Sequence, residues 1–387
     1  MTSASVRFVP YCAPAVSGRI QGAVITFDAV TKRFADGTVA VDDLSLEIAE
    51  GEVVVFVGPS GCGKTTTLRM INRMVEPTSG RIVVDGRDAA ATNPAELRRR
   101  IGYVIQQIGL FPHRTVAANI ATVPTLLGWD ERRKAERVEE LLALVGLPAG
   151  TAGRYPHELS GGQRQRVGVA RALAADPPIM LMDEPFGAVD PIVRARLQEE
   201  FLRLQATVRK TIAFVTHDID EALRMGDRIA IFSEAGVLEQ YDAPRDLLND
   251  PANAFVEEFL GEERGLKRLG LIAVSEVAAE PGPVVSPGDS ARRAVEVARA
   301  HGTDWVVVVG GERTLEGWVS LHELDDDAQR VGDGLVRPFA LQVDANDSLR
   351  AALNAMVTSR TGVAVRVSGG GVYEGILTQE LISKEIR

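Results

Sequence analysis

Lys64 and Thr65 close the string Gly58-Pro59-Ser60-Gly61-Cys62-Gly63-Lys64-Thr65-Thr66. It fits the phosphate-loop pattern of a glycine, four variable residues, then Gly-Lys-Ser/Thr. Gly58, Gly61 and Gly63 let the backbone wrap closely around phosphates. Successive amide N–H groups and a helix N-terminus then face the negative charge. Lys64 supplies a point charge to the β- and γ-phosphates, and the Thr65 hydroxyl is placed to ligate Mg2+. The triphosphate-binding set is therefore Gly58, Ser60, Gly61, Cys62, Gly63, Lys64, Thr65 and Thr66.

Further chemistry follows downstream. The apolar run Ile179-Met180-Leu181-Met182 ends in Asp183-Glu184. Asp183 is placed to hold Mg2+ through water, and Glu184 to polarise an attacking water as a general base. His217 follows another apolar run, Ile212-Ala213-Phe214-Val215. A second glycine-rich string, Leu159-Ser160-Gly161-Gly162-Gln163, precedes a predicted helix and makes another N-terminal anion site. Taken alone, it is a serine capping a helix.

The elements that must carry these groups are legible. Glu52 to Val57 is apolar and β-branched and reads as a buried strand. A helix is expected to start near Thr66. Strands are expected at 179–182 and 212–215. Asp130 to Val145 places Val138, Leu141, Leu142 and Val145 on one face of an amphipathic helix that Gly146 and Pro148 end.

Over roughly residues 24–260 this motif set resembles the ATP-binding subunit of ABC transporters. The matching strings are the phosphate loop, LSGGQ at 159–163, PIMLMDEP at 178–185 and the histidine at 217. The resemblance implies that His217, at the right distance in sequence beyond Asp183-Glu184, is the catalytic His switch. It implies that Gln106, in YVIQQ, senses Mg2+ together with Thr65 and Asp183. Phe34, in TKRFADG, takes the place of an aromatic ring stacked on adenine. Asp190, in GAVDP, takes the place of the D-loop aspartate, although SALD is the more frequent string there. Ser160, Gly161, Gly162 and Gln163 would face the γ-phosphate held by a second subunit, so the implied assembly is a homodimer with two ATP molecules sandwiched in it. The family also places a helical subdomain at about 107–170, whose surface receives a membrane subunit.

Beyond residue 264 the sequence repeats itself. Shifted by 58 residues, Asp289-Ser290 falls on Asp347-Ser348, Ala294 on Ala352, Val307 on Val365, Glu316-Gly317 on Glu374-Gly375 and Ser320 on Thr378. Each copy reads as a leading segment, a helix capped by Asp-Ser, a Val-rich strand, a Gly-rich turn, a second strand and a final helix. This resembles a pair of CBS modules, which implies a regulatory unit. The family's adenine-nucleotide grip, a Ser/Thr with an acidic residue three positions later, matches Ser320 and Glu323 in the first copy. The second copy has Thr378, but Leu381 cannot accept ribose hydroxyls. A nucleotide signal and an ionic-strength signal both stay open.

The expected fold is α/β: a P-loop ABC ATPase core with a helical subdomain, followed by a tandem CBS module. The expected divisions are 1–22 as an extension outside the fold, 23–263, 264–330 and 331–387. An ATPase with a C-terminal CBS pair resembles the subunits of glycine betaine, carnitine and choline importers. The strings INRMVEPTSG, IQQIGLFPHRTV and FLGEERGLKRL carry that likeness. It implies ATP and Mg2+ as cofactors, an integral membrane permease, an extracytoplasmic solute-binding protein, and a place at the cytoplasmic face of the membrane.

Composition limits the alternatives. With 387 residues and 45% apolar content the chain can build several cored domains. Its net charge of −10 disfavours a nucleic-acid groove. No apolar run reaches the ~20 residues of a membrane span, so a channel must be another chain. Two cysteines make no disulfide framework, which fits a reducing compartment. The space between the phosphate loop and LSGGQ is too short for the long coiled coil of a chromosome-maintenance ATPase. One phosphate loop disfavours a two-cassette ribosome-associated factor. An importer for a different small solute stays open.

Overall fold

The computed structural model describes residues 23–105, 109–187, 191–324, 330–332 and 334–386. The chain divides into two compact units between Gly261 and Glu262. Gly261 follows the helix Ala254–Leu260 with φ 81°, a conformation that glycine adopts without a Cβ penalty.

Two sheets make the first unit. Strands β1 (Ala23–Arg33), β2 (Val39–Ala49), β4 (Ser79–Val84) and β5 (Arg87–Asp88) form an antiparallel sheet in the order β2-β1-β4-β5. The second sheet runs β10-β9-β3-β8-β7-β6. Its strands are β3 (Val53–Val57), β6 (Ile101–Val104), β7 (Ile179–Asp183), β8 (Thr211–Val215), β9 (Arg228–Phe232) and β10 (Leu238–Asp242). All its pairings are parallel except that of β10 with β9. Every residue of β3, β7 and β8 is buried, as a parallel strand covered on both faces requires. Ile25, Phe27, Leu46 and Ile48 of the antiparallel sheet share one core with Phe56, Leu181, Val215 and Phe232 of the other.

Helix α1 (Lys64–Ile71) leaves the loop after β3 and buries Leu68, Met70 and Ile71 in that core. It begins two residues before the expected Thr66. Short helices α2 (Pro94–Arg99), α3 (Val116–Ile120) and α4 (Thr122–Leu126) precede α5 (Glu131–Leu144). The Asp130 carboxylate accepts from the Arg133 N–H and starts α5, which buries the expected Val138, Leu141 and Leu142. Next come α6 (Gly161–Leu173), α7 (Pro191–Val208), α8 (Ile219–Met225), α9 (Pro244–Asn249) and α10 (Ala254–Leu260).

The second unit opens with α11 (Arg264–Leu269). Its first copy holds β11 (Val284–Val285), α12 (Ala291–Ala300), β12 (Trp305–Val309) and β13 (Leu315–Ser320). The second holds β14 (Gln342–Val343), α13 (Leu349–Thr358), β15 (Ala364–Ser368), β16 (Val372–Leu377) and α14 (Gln379–Ile386). Ser290 and Ser348 cap α12 and α13 by accepting from Arg293 and Ala351 N–H. The sheets match strand for strand, down to a register shift at Val308/Val309 and at Arg366/Val367.

Two features differ from the sequence reading. After β13 the described residues hold only a 3-10 turn, Leu321–Glu323, where a final helix was expected. The expected division at 330/331 also does not separate two cores, because the leading segments are exchanged. Leu269, Ile272, Val274 and Val277 pack with Leu349, Ala352 and Leu377 of the second copy. Conversely, Val331, Leu335 and Val336 pack with Val285, Ala294 and Val319 of the first. Glu280 bonds reciprocally with Ile376, and Arg337 with Trp318. Gly317 and Gly375 lie under those crossings at φ 152° and 147°. A Cβ on Gly375 would come within 2.6 Å of the Glu280 carbonyl oxygen, and one on Gly317 would overlap that of Arg337. Hydrophobic periodicity marks which residues are buried but not which copy buries them.

Candidate active site

The site is built at the ends of three adjacent parallel strands. β3 leads into the phosphate loop, β7 ends at Asp183, and β8 leads to His217. Gly58, Gly61 and Gly63 have φ of 149°, 83° and 91°, and Gly63 stands at the N-cap of α1 with no side-chain cap. The helix N-terminus is thus left to backbone donors, the arrangement that receives phosphate. A Cβ on Gly58 would overlap the Phe232 carbonyl oxygen, and one on Gly63 that of Ala40. Ser60 is exposed, and Thr66 is half-buried within the first turn of α1.

Lys64 is buried, and its ammonium donates to the Gly58 and Pro59 carbonyls at 2.8 and 2.7 Å. The buried Cys62 places its Sγ 3.5 Å from the same nitrogen. Thr65 Oγ1 donates to Asp183 Oδ1 at 2.9 Å, joining the expected Mg2+ ligands from strand and helix. Arg69 lies 3.8 Å from the other carboxylate oxygen, a neighbour the motif reading missed. Only its spacing one turn beyond Thr65 could have signalled it. Burial pushes the Asp183 carboxyl above its ordinary range, against the pull of Thr65, Arg69 and Lys64. A hydroxyl and a carboxylate side by side suit a small hard cation that also binds phosphate oxygens.

Glu184 follows at φ 44°, which costs a non-glycine residue on the order of 1–3 kcal/mol. Its N–H donates to the Val215 carbonyl at 2.9 Å, which ties the turn to β8. Glu184 Oε1 and His217 Nδ1 stand 3.2 Å apart, so two residues 33 positions apart in sequence form one pair. The histidine side chain is 59% exposed, and its neighbour Thr216 is buried.

The remaining expected residues fall in different places. Phe34 follows β1 in a turn where its N–H donates to the Thr38 carbonyl, and its ring is exposed. Lys32 Nζ sits 5.2 Å from the ring centroid. Ser160 and Gln163 form a reciprocal capping box at the start of α6, with Gly161 and Gly162 in its first turn. Among the described residues, no hydrogen bond or ion pair joins 159–163 to the phosphate loop. Gln106 and Asp190 lie outside the described residues. In the second unit, Ser320 Oγ accepts from His322 N–H and Thr378 Oγ1 from Leu381 N–H. The Glu323 carboxylate is engaged by Arg337 on the exchanged segment, a partner invisible in the sequence pattern.

The ABC transporter family profile matches residues 41–187. The chain is 49% identical over 314 residues to the glycine betaine/carnitine/choline transport ATP-binding protein OpuCA of Bacillus subtilis, spanning 80% of this chain and 82% of that protein. The chain belongs to the ATP-binding subunits of ABC transporters. Within them it is also 45% identical to the osmoprotectant import ATP-binding protein OsmV of Salmonella typhimurium, over 89% of this chain and 90% of that one. Among solved structures it resembles MJ0796, a bacterial ABC transporter cassette solved as a dimer, with TM-score 0.52 and 35% identity. That likeness covers 57% of this chain and 98% of the cassette. The same cassette is known in a dimeric post-hydrolysis state bound to ADP and Pi, at 33% identity. No helix among the described residues of this ABC ATPase is long and apolar enough to cross a membrane.

Proposed function

We propose that this ABC ATPase drives uptake of a quaternary-amine osmoprotectant such as glycine betaine, carnitine or choline. Supporting the cargo reading are the printed activities of relatives that are 45–49% identical across most of their length. The observation that carries the chemistry is the joining of Thr65 to Asp183 and of Glu184 to His217 at the ends of adjacent interior strands.

In this reading the loop amides and Lys64 hold the β- and γ-phosphates, and Phe34 offers a face to adenine. Mg2+, when bound, would draw charge from the phosphate oxygens, held by Thr65 and Asp183 with Gln106. Glu184 takes a proton from the water as its oxygen bonds to the γ-phosphorus. The bond from that phosphorus to the ADP oxygen breaks as the new one forms, leaving ADP and phosphate. His217 holds Glu184 in line. Ser160 to Gln163 of a second copy, with Asp190, complete each site in a homodimer. Force passes to an integral permease, with a separate solute-binding protein delivering cargo. Residues 262–387 act as a CBS pair that regulates turnover.

Reconstitution with the co-purified permease and binding protein tests this. Vesicles should accumulate labelled glycine betaine, carnitine or choline only with ATP and Mg2+. Uptake of none of the three at any salt concentration would refute the cargo. Deletion of 262–387 should leave uptake intact but remove its response to salt or to an added adenine nucleotide. Glu323→Ala should weaken only a nucleotide response, and identical regulation in the truncated chain would refute the regulatory role.

A further inference from the structure

Behind His217 lies a buried polar network that the hydrolysis scheme does not use. Glu221 and Gln198 are 7% and 6% exposed, and Gln198 Nε2 donates to Glu221 Oε1 at 2.7 Å. Arg224 donates to Gln198 Oε1 at 3.1 Å from the next turn of α8. Gln198 and Arg194 lie one turn apart on α7, and Arg194 reaches Asp218 at 3.8 Å. The Asp218 carboxylate caps α8 by accepting from the Asp220 and Glu221 N–H groups. Asp218 N–H in turn donates to Thr216 Oγ1 at 3.1 Å.

The pattern is selective. Asp218, the residue after His217, is fixed from two sides: by Arg194, and by the first turn of α8, where Glu221 donates its N–H to Asp218 and its carboxylate accepts from Gln198. Both routes end on α7. His217 itself stands out toward Glu184 and solvent. Thr216 N–H adds an anchor to the Phe56 carbonyl, at the strand that feeds the phosphate loop. A buried carboxylate is costly to keep, and a core position seldom holds one for stability alone. We infer that Glu221, held by Gln198, is a positioning residue that fixes the His217 backbone so that its imidazole meets Glu184. This rests on the hydrolytic reading of Glu184 and His217. A displacement of about 1 Å at a reacting group can cost about 10²-fold in rate.

The test uses the full chain and four variants: Glu184→Gln, His217→Ala, Glu221→Ala and Glu221→Gln. Glu221→Ala should lower kcat by about 10- to 100-fold while leaving the ATP Kd and the KM within about threefold. Glu221→Gln should recover most of the loss, since its carbonyl oxygen still accepts from Gln198. In a double-mutant cycle, Glu221→Ala should add little to His217→Ala, because both act through one group. Near wild-type kcat in Glu221→Ala, or a fully additive loss on the His217→Ala background, would overturn the inference. A loss of ATP binding in step with melting temperature would equally overturn it, by marking a purely structural role. If instead Glu184→Gln and His217→Ala both hydrolyse normally, the underlying reading fails and not merely this extension.

Discussion

Gly63→Ala is the sharpest single perturbation of the phosphate loop. Gly63 sits at φ 91°, and a Cβ there would overlap the Ala40 carbonyl oxygen and reach Val41 Cγ2 at 3.4 Å. Ala40 cannot retreat cheaply, since β2 is paired with β1 on both sides of it, at Val39–Arg33 and Val41–Lys32. The loop must yield. A left-handed alanine costs roughly 1–2 kcal/mol. Forcing the methyl group against packed backbone adds roughly 1–3 kcal/mol. Nucleotide binding bears this cost, because the amides that yield are those that face phosphate. At about 1.4 kcal/mol per tenfold, the total of roughly 2–5 kcal/mol predicts a 30- to 4,000-fold weaker ATP Kd. Gly61→Ala supplies the control. Its φ is 83°, but its Cβ would meet nothing within 4 Å, so only the backbone term applies and about tenfold is expected. Titration with a fluorescent ATP analogue, alongside thermal melts, reads both. Equal affinities for the two variants, or Gly63→Ala within threefold of wild type, would refute the steric reasoning.

Ser160→Arg should abolish turnover while leaving ATP binding on Lys64 within about threefold, because the signature residues serve the partner's nucleotide; full activity in this variant would remove the composite site. Asp227 accepts the Val53 N–H at 2.9 Å, and burial raises its pKa. A raised carboxyl pKa contributes stability below the unfolded value and loses it as pH rises through the folded one. Asp227→Asn should therefore melt at or above wild type at pH 7.5, with the difference shrinking as pH falls through the raised carboxyl pKa toward the ordinary carboxylate range. A variant that melts well below wild type at pH 7.5 would contradict the desolvation argument.

Sequence alone carried the chemistry further than the architecture. The phosphate loop, Asp183-Glu184 and the Ser160 cap are local patterns whose spacing dictates their geometry, and their strands formed where expected, with α1 starting two residues early. The period of Val138, Leu141 and Leu142 likewise marked the buried face of α5. Contacts between distant segments were not legible. Nothing in the spacing of Arg337 announces Glu323 as its partner, and Arg69 offered only its place one turn beyond Thr65. The exchange of leading segments was hidden because a repeat aligns equivalent residues without saying which copy they touch. Gly317 and Gly375 carried the signal, since paired glycines inside strands mark close backbone approach. Glu221 gave a fainter one, a carboxylate one helical turn beyond His217 on the buried side of α8.

The central claim is that Glu184 is the base of an ATP-dependent dimer. It is tested most directly by Glu184→Gln in the full chain with ATP and Mg2+, measuring phosphate release and sedimentation on the same sample. The account predicts turnover lowered by about 10²–10⁴-fold with ATP affinity retained, and a stable ATP-bound dimer that wild type forms only transiently. Near wild-type phosphate release, or a chain that stays monomeric while saturated with ATP, would contradict it.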